Sequence, residues 1–182
     1  MVNTYKLKLT NLQQEILRLL FIKVGISLNA RDIARALEVS QPAVSKALPL
    51  LDKDGLIKMQ KDKNSGRFSI ELNRNDHRII WLKRTDNLKQ IYESGLAQFV
   101  HDTFPEATIF LFGSYSLGED TLTSDIDIAI IGSKKKEIDL AKFSKKLERT
   151  INLNFYESWK KIDEHLKNNI LNGILLKGAV EL

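Results

Sequence analysis

Gly113-Ser114 and, after ten intervening residues, Asp125-Ile126-Asp127 are the residue types and spacing in this 182-residue chain most suited to chemistry. An apolar run, Ile109-Phe110-Leu111-Phe112, precedes the Gly-Ser pair and reads as a strand. Glycine lets a ligand approach the backbone closely. A serine opening a short helix offers its hydroxyl and the local N–H groups to a phosphate. The residues from Asp125 to Ile131 read as a second strand, so Asp125 and Asp127 share one face, about 6.5–7 Å apart along it. Ile126, Ile128 and Ile130 take the opposite face and point at a core. Two carboxylates on so apolar a strand repel each other and lose hydration, and a divalent cation between them is the natural compensation. Magnesium, or manganese in its place, suits a site of few carboxylates completed by substrate phosphates.

The stretch Gly113-Ser114-Tyr115-Ser116-Leu117-Gly118 … Ser124-Asp125-Ile126-Asp127 resembles the minimal nucleotidyltransferases of the DNA polymerase β superfamily over about residues 90–156. The resemblance implies that Gly113 and Ser114 bind a nucleoside triphosphate. It implies that Asp125 and Asp127 are catalytic, holding two metal ions during transfer of a nucleoside monophosphate. That family normally supplies a third carboxylate from a later strand. In Ile151-Asn152-Leu153-Asn154-Phe155-Tyr156 the expected acid aligns with Asn152, which can lend an oxygen to a metal but carries no charge and is no base. Glu157 is close in sequence but lies past the strand end. Tyr115 stands where many relatives have an arginine. These departures weaken catalysis more than nucleotide binding.

The elements around this motif order themselves as strand (108–112), turn and short helix, strand (125–131), helix (138–149), strand (151–156) and a C-terminal helix from about Ser158. A helix opening at Thr85, with Leu88, Ile91, Tyr92, Leu96, Phe99 and Val100 inward, precedes them. The charged residues 73–86 read as a boundary, with Trp81 and Leu82 packing between the domains. The fold class is α+β: residues 1–84 form one domain and residues 85–182 a small mixed-sheet α/β transferase domain.

The front half carries the positive charge. Residues 1–84 hold net +8 and residues 85–182 net −3, within a total of +5, so an anionic partner, most simply DNA, is expected at the front. Helical spacing runs over 11–23 through Leu12, Ile16, Leu19 and Leu20. Asn29 caps a second helix with Asp32 three residues on, and Ser40 caps a third with Pro42 in its first turn. Val44, Leu48 and Leu51 face inward there, and Pro49 is expected to kink the axis. Two alternating segments, 56–60 and 67–72, flank a basic tip and form a hairpin.

Three short helices and a basic hairpin make a winged helix-turn-helix, and Val44-Ser45-Lys46-Ala47-Leu48 … Leu51 … Gly55-Leu56-Ile57 resembles the multidrug- and arsenic-type repressors over roughly residues 10–72. Gln41, Ser45 and Lys46 are the outward residues that would read base edges, and Lys61, Lys63 and Arg67 on the wing would meet phosphates. One short recognition helix reads few base pairs, so a homodimer is expected on DNA.

No run is long and apolar enough to suggest a membrane partner, the first ten residues lack a secretory segment, and the chain has no cysteine. Together these point to a cytoplasmic protein without disulfides or thiolate metal sites. His77, His101 and His165 show no metal-ligand spacing, and Lys134-Lys135-Lys136 reads as a solvated loop. Two functional readings stand. In one, the protein is a DNA-associated transferase with an unidentified acceptor. In the other, it is a transcriptional regulator whose impaired transferase domain senses nucleotide. A third, a component of a toxin–antitoxin pair with a helical toxin as partner, follows from the resemblance alone.

Overall fold

The computed structural model describes residues 9–62 and 66–180, and the chain divides into two compact units, residues 1–79 and 80–182. The first is a winged helix. Helix α1 (Asn11–Ile22) is opened by a capping box between Thr10 and Gln13. The Gln13 amide also donates to the Ala47 carbonyl at 3.1 Å, docking α1 on the third helix. Helix α2 (Ala30–Ala36) has Asn29 and Asp32 as its capping box, as expected. Helix α3 (Gln41–Lys53) starts at the Ser40 cap. It continues four residues beyond Pro49, which lies on the exposed side. Ile16, Leu20, Ile33, Val44, Leu48, Leu51 and Ile70 are wholly or almost wholly buried and form this unit's core. Strands β1 (Ile57–Lys61) and β2 (Phe68–Leu72) pair antiparallel, with Ile57 opposite Leu72 and Lys61 opposite Phe68. An isolated bridge from Leu28 to Ile70 ties the hairpin back to the segment before α2.

Helix α4 (His77–Glu93) begins eight residues before the expected Thr85, so the charged stretch read as a boundary is mostly helical; from Ile80 on it belongs to the second unit. Gly95, at φ 84°, separates it from α5 (Leu96–Thr103), where the sequence reading had one continuous helix. Trp81, expected to pack, is 65% exposed. Strand β3 (Thr108–Phe112) leads into α6 (Gly113–Leu117). Then come β4 (Ile126–Ile131), α7 (Ala141–Leu147), β5 (Ile151–Tyr156), a single 3-10 turn (Trp159–Lys161), α8 (Glu164–Leu171) and β6 (Ile174–Lys177). The C-terminal helix expected from about Ser158 is a 3-10 turn and a short helix, followed by a strand.

The four strands order as β5-β4-β3-β6, with β4 and β5 parallel and the other neighbours antiparallel. Side chains alternate across the sheet, so each strand feeds two cores. Ile126, Ile128 and Ile130 join Ile91, Leu96, Val100, Phe143 and Leu147 on one face. Ala129 and Ile131 join Phe110, Phe112, Trp159, Ile162 and Ile170 on the other. The second face is apolar from Ala129 onward, which leaves the two aspartates at its open end.

Candidate active site and nucleic-acid face

Asp127 sits in β4 between two partners. It pairs with Phe112 of β3 on one side and with Asn152 of β5 on the other. Gly113 follows Phe112 directly, so the Gly113-Ser114 turn is carried to the carboxylate by the register itself. The approach is close: a Cβ on Gly113 would lie 3.1 Å from Asp127 Oδ2, and Gly113 adopts φ 73°. A side chain there would be strained and would crowd the carboxylate, so glycine is required on both counts. Asp125 lies one residue before β4 rather than within it, and is exposed, while Asp127 is half-buried.

The two carboxylates converge. The Asn152 amide donates to Asp125 Oδ2 at 3.1 Å and to Asp127 Oδ1 at 3.3 Å. One hydrogen-bond donor thus reaches both acids, and it partly offsets their repulsion. Among the described residues no group of three or more His, Cys, Asp or Glu side chains is placed to hold a metal ion. The acidic set is therefore the aspartate pair, with the Asn152 amide beside it. Glu157 is exposed and ion-paired with Lys161, which holds its carboxyl below the usual range. Asn154 lies opposite Ala129, one step further along the face. Tyr156 follows, and burial pushes its phenol above the ordinary value, helped by the negative charges of Asp163 and Asp127.

The Ser114 hydroxyl makes no hydrogen bond among the described residues and is half-buried at the start of α6. The rest of the motif is structural. Ser116 donates to the Gly113 carbonyl at 2.8 Å. Ser124 Oγ accepts from Thr121 N at 2.9 Å. Gly118, at φ 77°, brings its Cα so near α4 that a Cβ would lie 2.5 Å from the Ile80 carbonyl. Sequence reasoning missed a buried polar cluster behind this loop: Lys83, Asn87, Asp120 and Arg149 are all 6% exposed or less.

In the winged helix, Gln41, Ser45 and Lys46 are exposed on α3 while Val44, Leu48 and Leu51 are buried. Lys61 and Arg67 are exposed at the base of the hairpin tip, and Lys63 lies outside the described residues. A cleft of about 580 Å³ separates α3 from the hairpin. Gln41 and Ser45 line one wall, Arg67 and Phe68 the other, with Arg31 at the edge. Arg31 and Phe68 escaped the sequence reading because neither lies in the recognition helix or in the basic run of the tip. His101 is exposed and hydrogen-bonds its neighbour Asp102.

The family profile of the nucleotidyltransferase domain matches residues 93–176. The transcriptional regulator AdcR of Streptococcus pneumoniae is 37% identical over 90 residues, which are 50% of this chain and 52% of that protein. The match thus spans about half the length of that relative. Among solved structures, a mutant of ZitR from Lactococcus lactis shares 24% identity over 57% of this chain and 68% of its own, with a TM-score of 0.43. The adhesin competence repressor AdcR of Streptococcus pyogenes shares 30% over 54% of this chain and 78% of its own, with a TM-score of 0.38. MepR of S. aureus, solved in complex with DNA, shares 23% over 52% of this chain and 81% of its own, with a TM-score of 0.37. Residues 93–176 are thus similar to the nucleotidyltransferase domain, and half of the chain is similar to the transcriptional regulator AdcR. No described helix is long and apolar enough to cross a membrane.

Proposed function

We propose that the protein binds DNA through its winged helix and that its second unit transfers a nucleoside monophosphate from an NTP to an acceptor hydroxyl, forming a phosphodiester, breaking the α–β phosphoanhydride bond and releasing pyrophosphate. The observation that carries the proposal is the convergence of Asp125 and Asp127 on one point beside Gly113. Hard oxygen donors so placed fit magnesium or manganese, with Asn152 able to add a neutral oxygen from the third position. This supports grouping the domain with the minimal transferases of the DNA polymerase β superfamily.

When bound, the divalent ions would neutralise charge on the triphosphate and on the attacking and leaving oxygens. The chain's own residues do the remaining work. Gly113 keeps the backbone open beside Asp127. Ser114 offers its hydroxyl and the first N–H groups of α6 to the phosphates. Asp125 and Asp127 fix the acidic side of the site. Asn152 holds both acids in place but cannot accept a proton, so the acceptor hydroxyl must lose its proton elsewhere.

Asn152 favours a second reading. An amide that already bridges the acids competes with a metal and supplies no third charge, as suits a regulator that senses nucleotide and turns it over slowly. The test is incubation with labelled NTPs and magnesium or manganese, with and without cell lysate. Label moving to protein, nucleic acid or a small acceptor supports the enzyme. Metal-dependent binding without transfer supports the sensor. Label on a small helical protein would identify a toxin partner.

On DNA, Gln41, Ser45 and Lys46 would read the major groove and Lys61, Lys63 and Arg67 the backbone, in a homodimer that doubles the site. The relation to AdcR and the basic front half support this half of the proposal.

A further inference from the structure

Asp120 lies in the loop between the phosphate turn and the aspartate pair, and it is 2% exposed. Its Oδ1 takes Lys83 Nζ at 2.8 Å and Asn87 Nδ2 at 2.8 Å. Its Oδ2 faces Arg149 Nη2 at 3.4 Å, and Lys83 also donates to its carbonyl. Each partner leads to a different part of the site. Asn87 Nδ2 donates to the Tyr115 carbonyl at 2.9 Å, inside the short helix that Gly113 and Ser114 open. Arg149 precedes Thr150, whose carbonyl accepts from Ile126 N at 2.8 Å where β4 starts between the two aspartates. Three residues after Arg149 comes Asn152, which holds both carboxylates. Lys83 and Asn87 lie on one face of α4, whose backbone also meets Gly118.

Ionic groups this deeply buried are a poor way to gain stability, since apolar side chains of the same volume usually do as well or better. What they add is direction. A carboxylate held at both oxygens, and at its own carbonyl, fixes the loop in orientation as well as position. Here the Asn87 and Arg149 links end on segments that bear the candidate site, and Lys83 ties the loop to α4.

We propose that Asp120, held by Lys83, Asn87 and Arg149, is a positioning residue that sets the Gly113-Ser114 turn against the Asp125/Asp127 pair, and so couples metal binding to triphosphate binding. The inference rests on the transferase reading of that site. The contacts given above run among these four residues and to the Tyr115 carbonyl. Their effect is on how well one phosphate group can meet the turn and a metal on the aspartates at the same time.

The test measures Mn2+ affinity of the full chain by electron paramagnetic resonance, with and without inorganic tripolyphosphate, which carries the triphosphate without a base. Wild type should show mutual enhancement, and coupling of this kind is reciprocal. Asp120→Asn keeps the shape and removes the charge. In the folded protein it should cut the coupling about tenfold while changing the affinity for Mn2+ alone less than about threefold. A structural lesion would lower both together. Lys83→Arg should retain the coupling and Lys83→Met should lose it. If Asp120→Asn fails to fold, Asn87→Ser removes a single link and should still lower the coupling. Unchanged coupling in a folded Asp120→Asn or Asn87→Ser variant overturns the proposal. Asp127→Asn separates the two levels: it should abolish Mn2+ binding, and if it does not, the transferase site itself is misassigned and this inference falls with it.

Discussion

At Asn152 the charge of the site is decided. Its amide reaches both aspartates, so the protein holds the acid pair with a neutral donor. Asn152→Asp would remove that donor and add a third negative charge. If the wild type is an impaired enzyme, transfer or NTP hydrolysis should rise about tenfold or more, equivalent to about 1.4 kcal/mol of transition-state stabilisation. Unchanged activity in an active wild type would place the third ligand elsewhere, with Asn154 and Glu157 next to be tested. Tyr156 gives a readout independent of activity. Its phenol is raised above the ordinary 10.0, chiefly by burial and then by Asp163 and Asp127. A raised folded-state pKa means that the contribution to stability is complete below pH 10 and is lost as pH climbs through the folded value. The tyrosinate absorbance lost in Tyr156→Phe should therefore titrate with a midpoint above 10, and a midpoint at or below 10 would contradict the placement. At this scale the sequence showed which residues matter but not how they are held. Gly113, Ser114, Asp125 and Asp127 were legible because their spacing is local. The bridge from Asn152 spans strands that only the sheet register brings together. Lys83, Asp120 and Arg149 were invisible because charged residues are read as surface, and burial cannot be read from the charge itself.

At the scale of elements, the turn around Gly118 should be the most sensitive. Its φ of 77° is unfavourable for any side chain, and a Cβ would collide with the backbone of α4. Gly118→Ala should cost roughly 2–4 kcal/mol from strain and overpacking together. Urea unfolding that shows no loss would mean the turn is not packed as described. On the wing, the triple change Lys61→Ala, Lys63→Ala and Arg67→Ala should weaken binding to all DNA sequences alike. The wild-type slope of log affinity against log salt should be about −5 for about six phosphate contacts, and shallower in the triple variant. Sequence-selective loss would assign these residues to base readout instead. The elements that were legible have strong local punctuation: the Asn29 and Ser40 caps, the apolar strands β3 and β5, and the hairpin. Helix α4 was not, because its first turns, from His77 to Arg84, are rich in charge and read as a linker. Strand β6 was hidden because four residues after Asn172-Gly173 are too few to show alternation, and Leu175 within it is 42% exposed. What calls for β6 is the open edge of β3, which no local pattern announces.

For the whole molecule, the charge asymmetry is the feature a sequence states most directly, with net +8 over residues 1–84 and net −3 over residues 85–182. A basic unit raises the local concentration of nucleic acid, while an acidic one repels free triphosphate unless metal accompanies it. Nucleotide binding should therefore depend on a divalent ion more steeply than in a basic transferase. The central claim is that Asp125, Asp127 and the Gly113-Ser114 turn form one metal-nucleotide site. The most direct test is equilibrium binding of labelled NTP to the full chain with and without magnesium or manganese, comparing wild type with Asp127→Asn. The account predicts binding by wild type that requires the metal, and a loss of about tenfold or more in Asp127→Asn, whether or not transfer follows. Metal-independent binding, or equal affinity in the two proteins, would contradict it.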